Sequence, residues 1–153
     1  MHFLELKIPP VALLLICIAG MASAQLYLPH IGLATWVSLT LGGILLSVGL
    51  FTIMLAVWQF RRYQTTVNPL QPENTRQLLT TGILSISRNP MYLGFVLLIV
   101  ATGITLQSMV FPLVSIIFIM YMTRFQIIPE ERALHALFPN DFSNYCNNTR
   151  RWI

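Results

Sequence analysis

Charge is what this sequence has least of. Only 9% of its 153 residues are Asp, Glu, Lys or Arg, while 56% are hydrophobic, and the mean hydropathy is +0.70. Soluble domains carry about 25% charged residues, so this chain cannot coat a water-facing globule. A solvated enzyme and a disordered tail are both excluded. Cysteine is almost absent too. Cys17 and Cys146 fall in a predicted span and in a basic tail, which leaves no disulfide framework and fits a reducing cytoplasmic face. No C-x-x-C, H-E-x-x-H or other ligand spacing occurs, so no metal site is expected. The nine Lys and Arg against five acids give a net charge of +4. They form no basic stripe, so nucleic acid is not an expected partner. In a membrane protein such a surplus marks the cytoplasmic side.

What the sequence has instead is long uncharged runs. Residues 8–60 form one of 53 residues and residues 89–123 another of 35. A spanning helix needs about 20 apolar residues, so each run predicts two helices. In the first, Pro29 and Gly32 mark the break, giving helices near 10–28 and 33–60. In the second, the break lies at 103–108, giving helices near 91–106 and 109–128. The fold expected is all-α, a polytopic membrane protein of about four spans forming one domain. A cytoplasmic loop would cover 61–90, and a cytoplasmic or interfacial helical tail 129–153. A re-entrant pair is the alternative for the third and fourth helices.

Orientation follows from the basic residues. Lys7 precedes the first helix, Arg61, Arg62, Arg76 and Arg88 occupy the central loop, and Arg124, Arg132, Arg150 and Arg151 lie near or beyond the fourth. With four spans all nine fall on one face, which predicts a cell (inner) membrane protein with both termini cytoplasmic. The first 24 residues also imitate a signal peptide, with Ala22-Ser23-Ala24 at the cleavage position. Glu5 cancels Lys7, however, and Pro9-Pro10 opens the apolar stretch, so the segment is expected to be a span.

Two polar segments hold the chemistry. In residues 65–92, three prolines (Pro69, Pro72 and Pro90) and Gly82 exclude one long helix. Arg88-Asn89-Pro90 opens the third span, with Pro90 suited to the first turn and Asn89 placed to cap it. Such a helix start favours an anionic group. The plain alternative is that Arg88 only anchors the helix at headgroups. In the tail, Pro129 suits a helix start and puts Glu130 and Glu131 in the first turn. Leu134, Leu137 and Phe138 then follow at helical spacing on an interfacial face. His135 reads as a solvated helix residue, and His2 and His30 have no identifiable partners. In a helical hairpin the Arg-Asn-Pro start and the Glu-Glu end are neighbours. S-adenosylmethionine, with a sulfonium, an ammonium and a carboxylate, matches that constellation.

These residues resemble a known group. Thr66-Val67-Asn68-Pro69, Leu79-Thr80-Thr81-Gly82 and Ser87-Arg88-Asn89-Pro90-Met91-Tyr92-Leu93-Gly94 are similar to segments of the integral-membrane isoprenylcysteine carboxyl methyltransferase and phospholipid methyltransferase superfamily, in a short bacterial-type form. So are Pro129-Glu130-Glu131, Leu134, Phe138, Tyr145 and Arg150-Arg151-Trp152. The resemblance implies a cofactor pocket for S-adenosylmethionine in which Gly82 allows close backbone approach and Arg88, Asn89, Pro90 and Tyr92 form the wall. Glu130 and Glu131 would be its acidic pair, and the tail around Tyr145 to Trp152 would close over it. Arg88, Glu131 and Glu130 are then the candidate catalytic residues. The chain departs from the pattern at Leu84-Ser85, at Phe138-Pro139 and in the polar Cys146-Asn147-Asn148.

The expected activity is transfer of a methyl group from S-adenosylmethionine to a lipophilic acceptor, an isoprenylcysteine-like carboxylate or a lipid headgroup. The membrane lipids are the other expected partners. A non-enzymatic membrane interaction protein is the alternative. A transporter would need ionisable groups at mid-membrane, and neither uncharged run contains one.

Overall fold

The structure is a computed structural model that describes residues 5–63 and 77–153. Among the described residues six α-helices follow in order: α1 (Pro10–Ala24), α2 (Thr35–Arg62), α3 (Pro90–Thr105), α4 (Phe111–Met122), α5 (Ile128–Leu137) and α6 (Pro139–Asn148). A 3₁₀ turn at Gly82–Ser85 precedes α3, and a π-turn at Thr123–Ile127 joins α4 to α5. Among the described residues there is no β-strand, only an isolated bridge between His30 and Ser108. Thr66-Val67-Asn68-Pro69, Pro72, Arg76 and His2 lie outside the described residues.

Proline sets where these helices begin. It stands in the first turn of α1, α3, α4 and α6, where its missing N–H removes no helical bond, and in that of α5, which follows the π-turn without a break. α2 ends on Arg61 and Arg62, cations at the negative end of the helix dipole. α2, of 28 residues, and the continuous helix Phe111–Leu137, of 27, are long and apolar enough to cross a membrane. α1 and α3 are apolar but only 15 and 16 residues long. At about 1.5 Å per residue they span roughly 22–24 Å. The outer surface of the helices is itself apolar: Trp36, Phe51, Met54 and Met120 are all exposed, Met120 by 66%.

Small residues let α2 and α3 approach closely. A Cβ on Gly94 would come within 2.5 Å of Ile53 Cγ1 and 2.9 Å of the Gly49 carbonyl, and one on Gly49 within 3.1 Å of the Gly94 carbonyl. The two glycines therefore form the crossing point. In lipid, where no hydrophobic force drives helices together, such backbone contact is a main source of association. α1 packs across α3 and α4, and Leu14, Met21, Phe95, Ile99 and Phe118 make the shared core.

Hydrogen bonds define two ends. At one, Ile31 N–H donates to the Gln107 carbonyl at 2.9 Å, beside the His30–Ser108 bridge. At the other, the end of α2, the start of α3, the α4–α5 junction and the tail meet, and all eight described basic residues belong to segments of that end. Two expectations are corrected here. The fourth helix does not stop near residue 128: α5 has Pro129 in its first turn, as expected, but it continues α4 through the π-turn. The chain stays helical to Leu137 because the π-turn absorbs the proline. Nor does the Asn89 side chain cap α3. Its amide instead donates to the Arg151 carbonyl at 2.9 Å, because the tail backbone crosses the helix start.

Candidate functional site

The site is assembled from four segments that the sequence keeps far apart. Gly82 begins the 3₁₀ turn at φ +59°, a conformation that suits glycine, and a Cβ there would lie 2.7 Å from Gln59 Oε1. Gln59, near the end of α2, donates from its amide nitrogen to the Thr81 carbonyl at 2.6 Å and accepts from Ile83 N–H at 3.3 Å. The close approach expected at Gly82 is thus an approach to Gln59. Tyr145 of α6 secures the far side of the turn, donating its hydroxyl to the Leu84 carbonyl at 2.6 Å. Burial pushes the Tyr145 phenol well above its ordinary range, against the lowering effect of Arg88.

Arg88 occupies the centre. Its Nη1 donates to the Cys146 and Thr149 carbonyls at 3.2 and 3.1 Å, and its Nη2 to Glu131 Oε1 at 2.9 Å. Its backbone N–H donates to the Arg150 carbonyl at 3.0 Å. Together with the Asn89 bond to Arg151, these contacts fasten residues 146–151 over the first turn of α3. Arg151 completes a triad, donating Nη2 to Glu131 Oε2 at 2.6 Å and Nε to Oε1 at 3.0 Å. That bidentate fork is the strong form of an arginine–carboxylate pair, and it holds the Arg151 guanidinium above its usual pKa. The Arg88 and Glu131 side chains are 12% and 18% exposed. The Nε of Arg88 is buried and has no hydrogen-bond partner among the described residues.

Glu130, next in sequence, has a different environment. It receives the Tyr92 hydroxyl at 2.5 Å and the Gln126 amide at 2.6 Å, both on Oε1. No arginine pairs with it among the described salt bridges. Glu130 lies past Ile128, where the apolar run of its helix ends. Burial pushes its carboxyl up to about 7, against the hydrogen bonds from Gln126 and Tyr92.

The structure therefore gathers Arg88, Asn89, Glu131 and Arg151 into one network, with Pro90 opening the helix beneath them. Tyr92 and Glu130 form a second, adjoining one. Gly82 and Tyr145 support the 3₁₀ turn. His135 remains at the surface, 3.4 Å from Ser143 Oγ. Two participants lack the signal of charge. Gln59 and Gln126 are uncharged, so counting charges passes over them; a lone Gln near the end of an apolar run, four residues before a Glu, was the available signal for Gln126. Trp152, of the tail expected to close over the site, donates its indole N–H to Thr123 Oγ1 at 3.3 Å and ties the tail to the π-turn. Beside the network, Gln77, Thr80, Asp141, Asn144, Tyr145 and Asn148 help line a polar cleft of about 680 Å³.

A family model for phospholipid methyltransferases matches residues 37–141, more than half of the chain. The chain belongs to the phospholipid methyltransferase family. Over 118 residues it is 30% identical to protein-S-isoprenylcysteine O-methyltransferase of Saccharomyces cerevisiae, a match covering 75% of this chain and 48% of the yeast protein. The chain thus spans about half the length of that relative. Over 63 residues it is 35% identical to an uncharacterised protein of Haemophilus influenzae, covering 41% of this chain and all of that protein. No solved structure gives a significant match. The family's model and the resemblance of the quoted motifs agree, and together they identify the superfamily as that of the isoprenylcysteine and phospholipid methyltransferases.

Proposed function

We propose that this member of the phospholipid methyltransferase family transfers a methyl group from S-adenosylmethionine to a lipophilic acceptor at the cytoplasmic face of the cell (inner) membrane. The observation that carries the reading is the pair of adjoining networks at the basic end. One is an arginine–glutamate–arginine triad fastened to the tail, the other a carboxylate held by neutral donors. They supply both signs of charge that an amino-acid moiety requires. On this reading four helices cross the membrane with both termini inside, and that end faces the cytoplasm. An impermeant maleimide is expected to label Cys146 in inside-out vesicles and not in intact cells.

S-adenosylmethionine, when bound, supplies a methyl group on a positively charged sulfur. Arg88, with its unpartnered Nε, and Asn89 are suited to hold the carboxylate. Glu131 is saturated by two guanidiniums, so it fixes their positions. Glu130 is left to receive the ammonium. Gly82, Pro90, Tyr92, Tyr145 and Arg151 wall the pocket. Charge disperses in a displacement at sulfonium, so alignment and exclusion of water matter more than strong acid–base catalysis. An acceptor carboxylate needs no base. An acceptor amine must lose a proton, and Glu130, with its pKa near 7, is the group matched to take it. The acceptor's tail reaches the site from the bilayer, because each methylene withdrawn into water forfeits about 0.8 kcal/mol.

The test is a methyl-transfer assay with labelled cofactor against extracted membrane lipids. Label is expected in the lipid fraction and absent with Arg88→Ala. Protein that binds no S-adenosylmethionine under these conditions returns the chain to the interaction-protein alternative.

A further inference from the structure

The π-turn at Thr123–Ile127 has a specific cause. Pro129 has no N–H, so the carbonyl four residues earlier, that of Phe125, is denied its helical partner. A carbonyl left unpaired inside a protein is costly. Here the donor comes from the other end of the chain: Leu6 N–H reaches Phe125 O at 3.0 Å. Leu6 adopts φ +56° to do so, a left-handed conformation that an L-residue rarely takes without compensation. The residue before it reinforces the contact. Glu5 pairs with Arg124 at 3.3 Å and also with Arg132, so one carboxylate bridges the two sides of the π-turn. Its side chain is only 11% exposed. Trp152 grips the same turn through Thr123.

This turn carries the acids. Gln126 lies within it and donates to Glu130 across its end, and Glu131 follows immediately. Inserting one residue into an α-helix rotates everything beyond by about 100°. The azimuth of Glu130 and Glu131 relative to Tyr92 and Arg88 is therefore set by whether the π-turn holds.

We propose that Glu5 and the Leu6 backbone form a clamp that maintains the π-turn and so positions Glu130 and Glu131 for the ligand, making Glu5 a positioning residue of the candidate site. The role in ligand binding rests on the function proposed above; the clamp itself does not. Nothing in this role requires Glu5 to touch the ligand. Its charge acts through Arg124 and Arg132, and Leu6 acts through a backbone bond that no side-chain change replaces.

The experiment has two arms, both on the full chain in detergent or nanodiscs. In the first, amide hydrogen exchange is compared between wild type and Glu5→Gln. Exchange over residues 123–132 is expected to be several-fold faster in the variant, while α2 and α3 are unchanged. Unchanged exchange at the π-turn overturns the clamp. In the second, affinity for S-adenosylhomocysteine is measured for Glu5→Gln alone and in a Glu130→Gln background. A loss of about three- to ten-fold is expected in the first case, falling below two-fold in the second, because Glu131 is also held by Arg88 and Arg151 and the acid left to meet the ligand is Glu130. Equal losses in both backgrounds, or none in either, overturn the positioning role. Arg132→Gln removes the other half of one pair and is expected to reproduce both effects, which guards against a folding defect peculiar to Glu5. Wild-type protein that binds no S-adenosylhomocysteine contradicts the proposed function, whereas the exchange arm still decides the clamp.

Discussion

At one end of the bundle, charged side chains tie segments from 20 to 119 residues apart; at the other, two turns meet through backbone bonds. The basic end joins Arg88 to Glu131, Glu131 to Arg151 and Glu5 to Arg124. The opposite end has the Ile31–Gln107 backbone bond and the His30–Ser108 bridge. Between them, the body is held by glycine contacts and apolar packing. Charge pairs at least partly shielded from water are expensive to assemble and conditional on every partner. A protein that needed only to fold would have little use for them, and their concentration at one end is what makes that end the candidate site.

Breaking the centre of the basic end should give the largest effect. Arg88→Ala leaves Glu131 with one partner and strips the Cys146 and Thr149 carbonyls of theirs. Bonds to charged groups contribute about 1.5–3 kcal/mol each, without simple additivity. Cofactor affinity is expected to weaken by about 1.5–3 kcal/mol, read by calorimetry. Unchanged affinity in both Arg88→Ala and Glu131→Gln contradicts the site.

The body should respond in the opposite sense, losing stability with binding intact. Gly94→Val places a side chain against Ile53 and the Gly49 backbone, which cannot retreat as a flexible side chain does. Overpacking of this kind costs about 1–3 kcal/mol. Denaturant unfolding in micelles should show that loss, while the folded fraction keeps wild-type cofactor affinity. A large loss of affinity would mean that body and end are not separable.

Within the basic end, the two adjacent acids sharpen the contrast further. Glu130 is held by neutral donors and its pKa is raised from 4.5 to about 7. Below pH 7 it is largely protonated and offers a cation no charge; above, it is a carboxylate. Affinity for S-adenosylhomocysteine should therefore rise as pH climbs from 6 to 8, by about ten-fold, and Glu130→Gln should flatten the profile. Stability runs the other way. The folded state binds the proton more tightly than the unfolded, so this group's contribution is full below pH 4.5 and is lost as pH rises through 7. A pH profile that survives Glu130→Gln assigns the titration to another group.

The residues that make this contrast were unevenly legible in the sequence. Uncharged runs and prolines point to the helices, because a helix start with Pro is a local matter. Arg88, Asn89, Glu130 and Glu131 stand out because charge is rare here. The course of the fourth helix was less legible: Pro129 reads locally as a start, and the π-turn that joins α4 to α5 there, with Leu6 N–H on the Phe125 carbonyl, is no local matter. Asn89 reads as a cap for the same reason, since nothing near it in sequence reveals that Arg151 will lie within reach. Gln59 and Gln126 act across 22 residues in one case and across a π-turn in the other. Their chemistry depends on packing that no periodicity encodes.

The smallest effect is expected at the opposite end, and it tests whether that end is as plain as its bonds suggest. Ser108 is 1% exposed, and its hydroxyl has no hydrogen-bond partner among the described residues. What Ser108 contributes is backbone: its N–H donates to the Gly103 carbonyl at 2.8 Å, and the residue bridges to His30. Alanine keeps both features. Removing a buried polar atom whose bond is not made relieves a desolvation cost instead of adding one. Ser108→Ala should therefore be neutral or stabilising by up to about 1 kcal/mol in chemical unfolding, with methyl transfer and cofactor affinity unchanged. A loss greater than about 1 kcal/mol would mean that the hydroxyl does have a bonded partner in the membrane-embedded protein. The contrast between a chemically wired end and a merely closed one would then have to be redrawn, with a polar site at each end of the bundle.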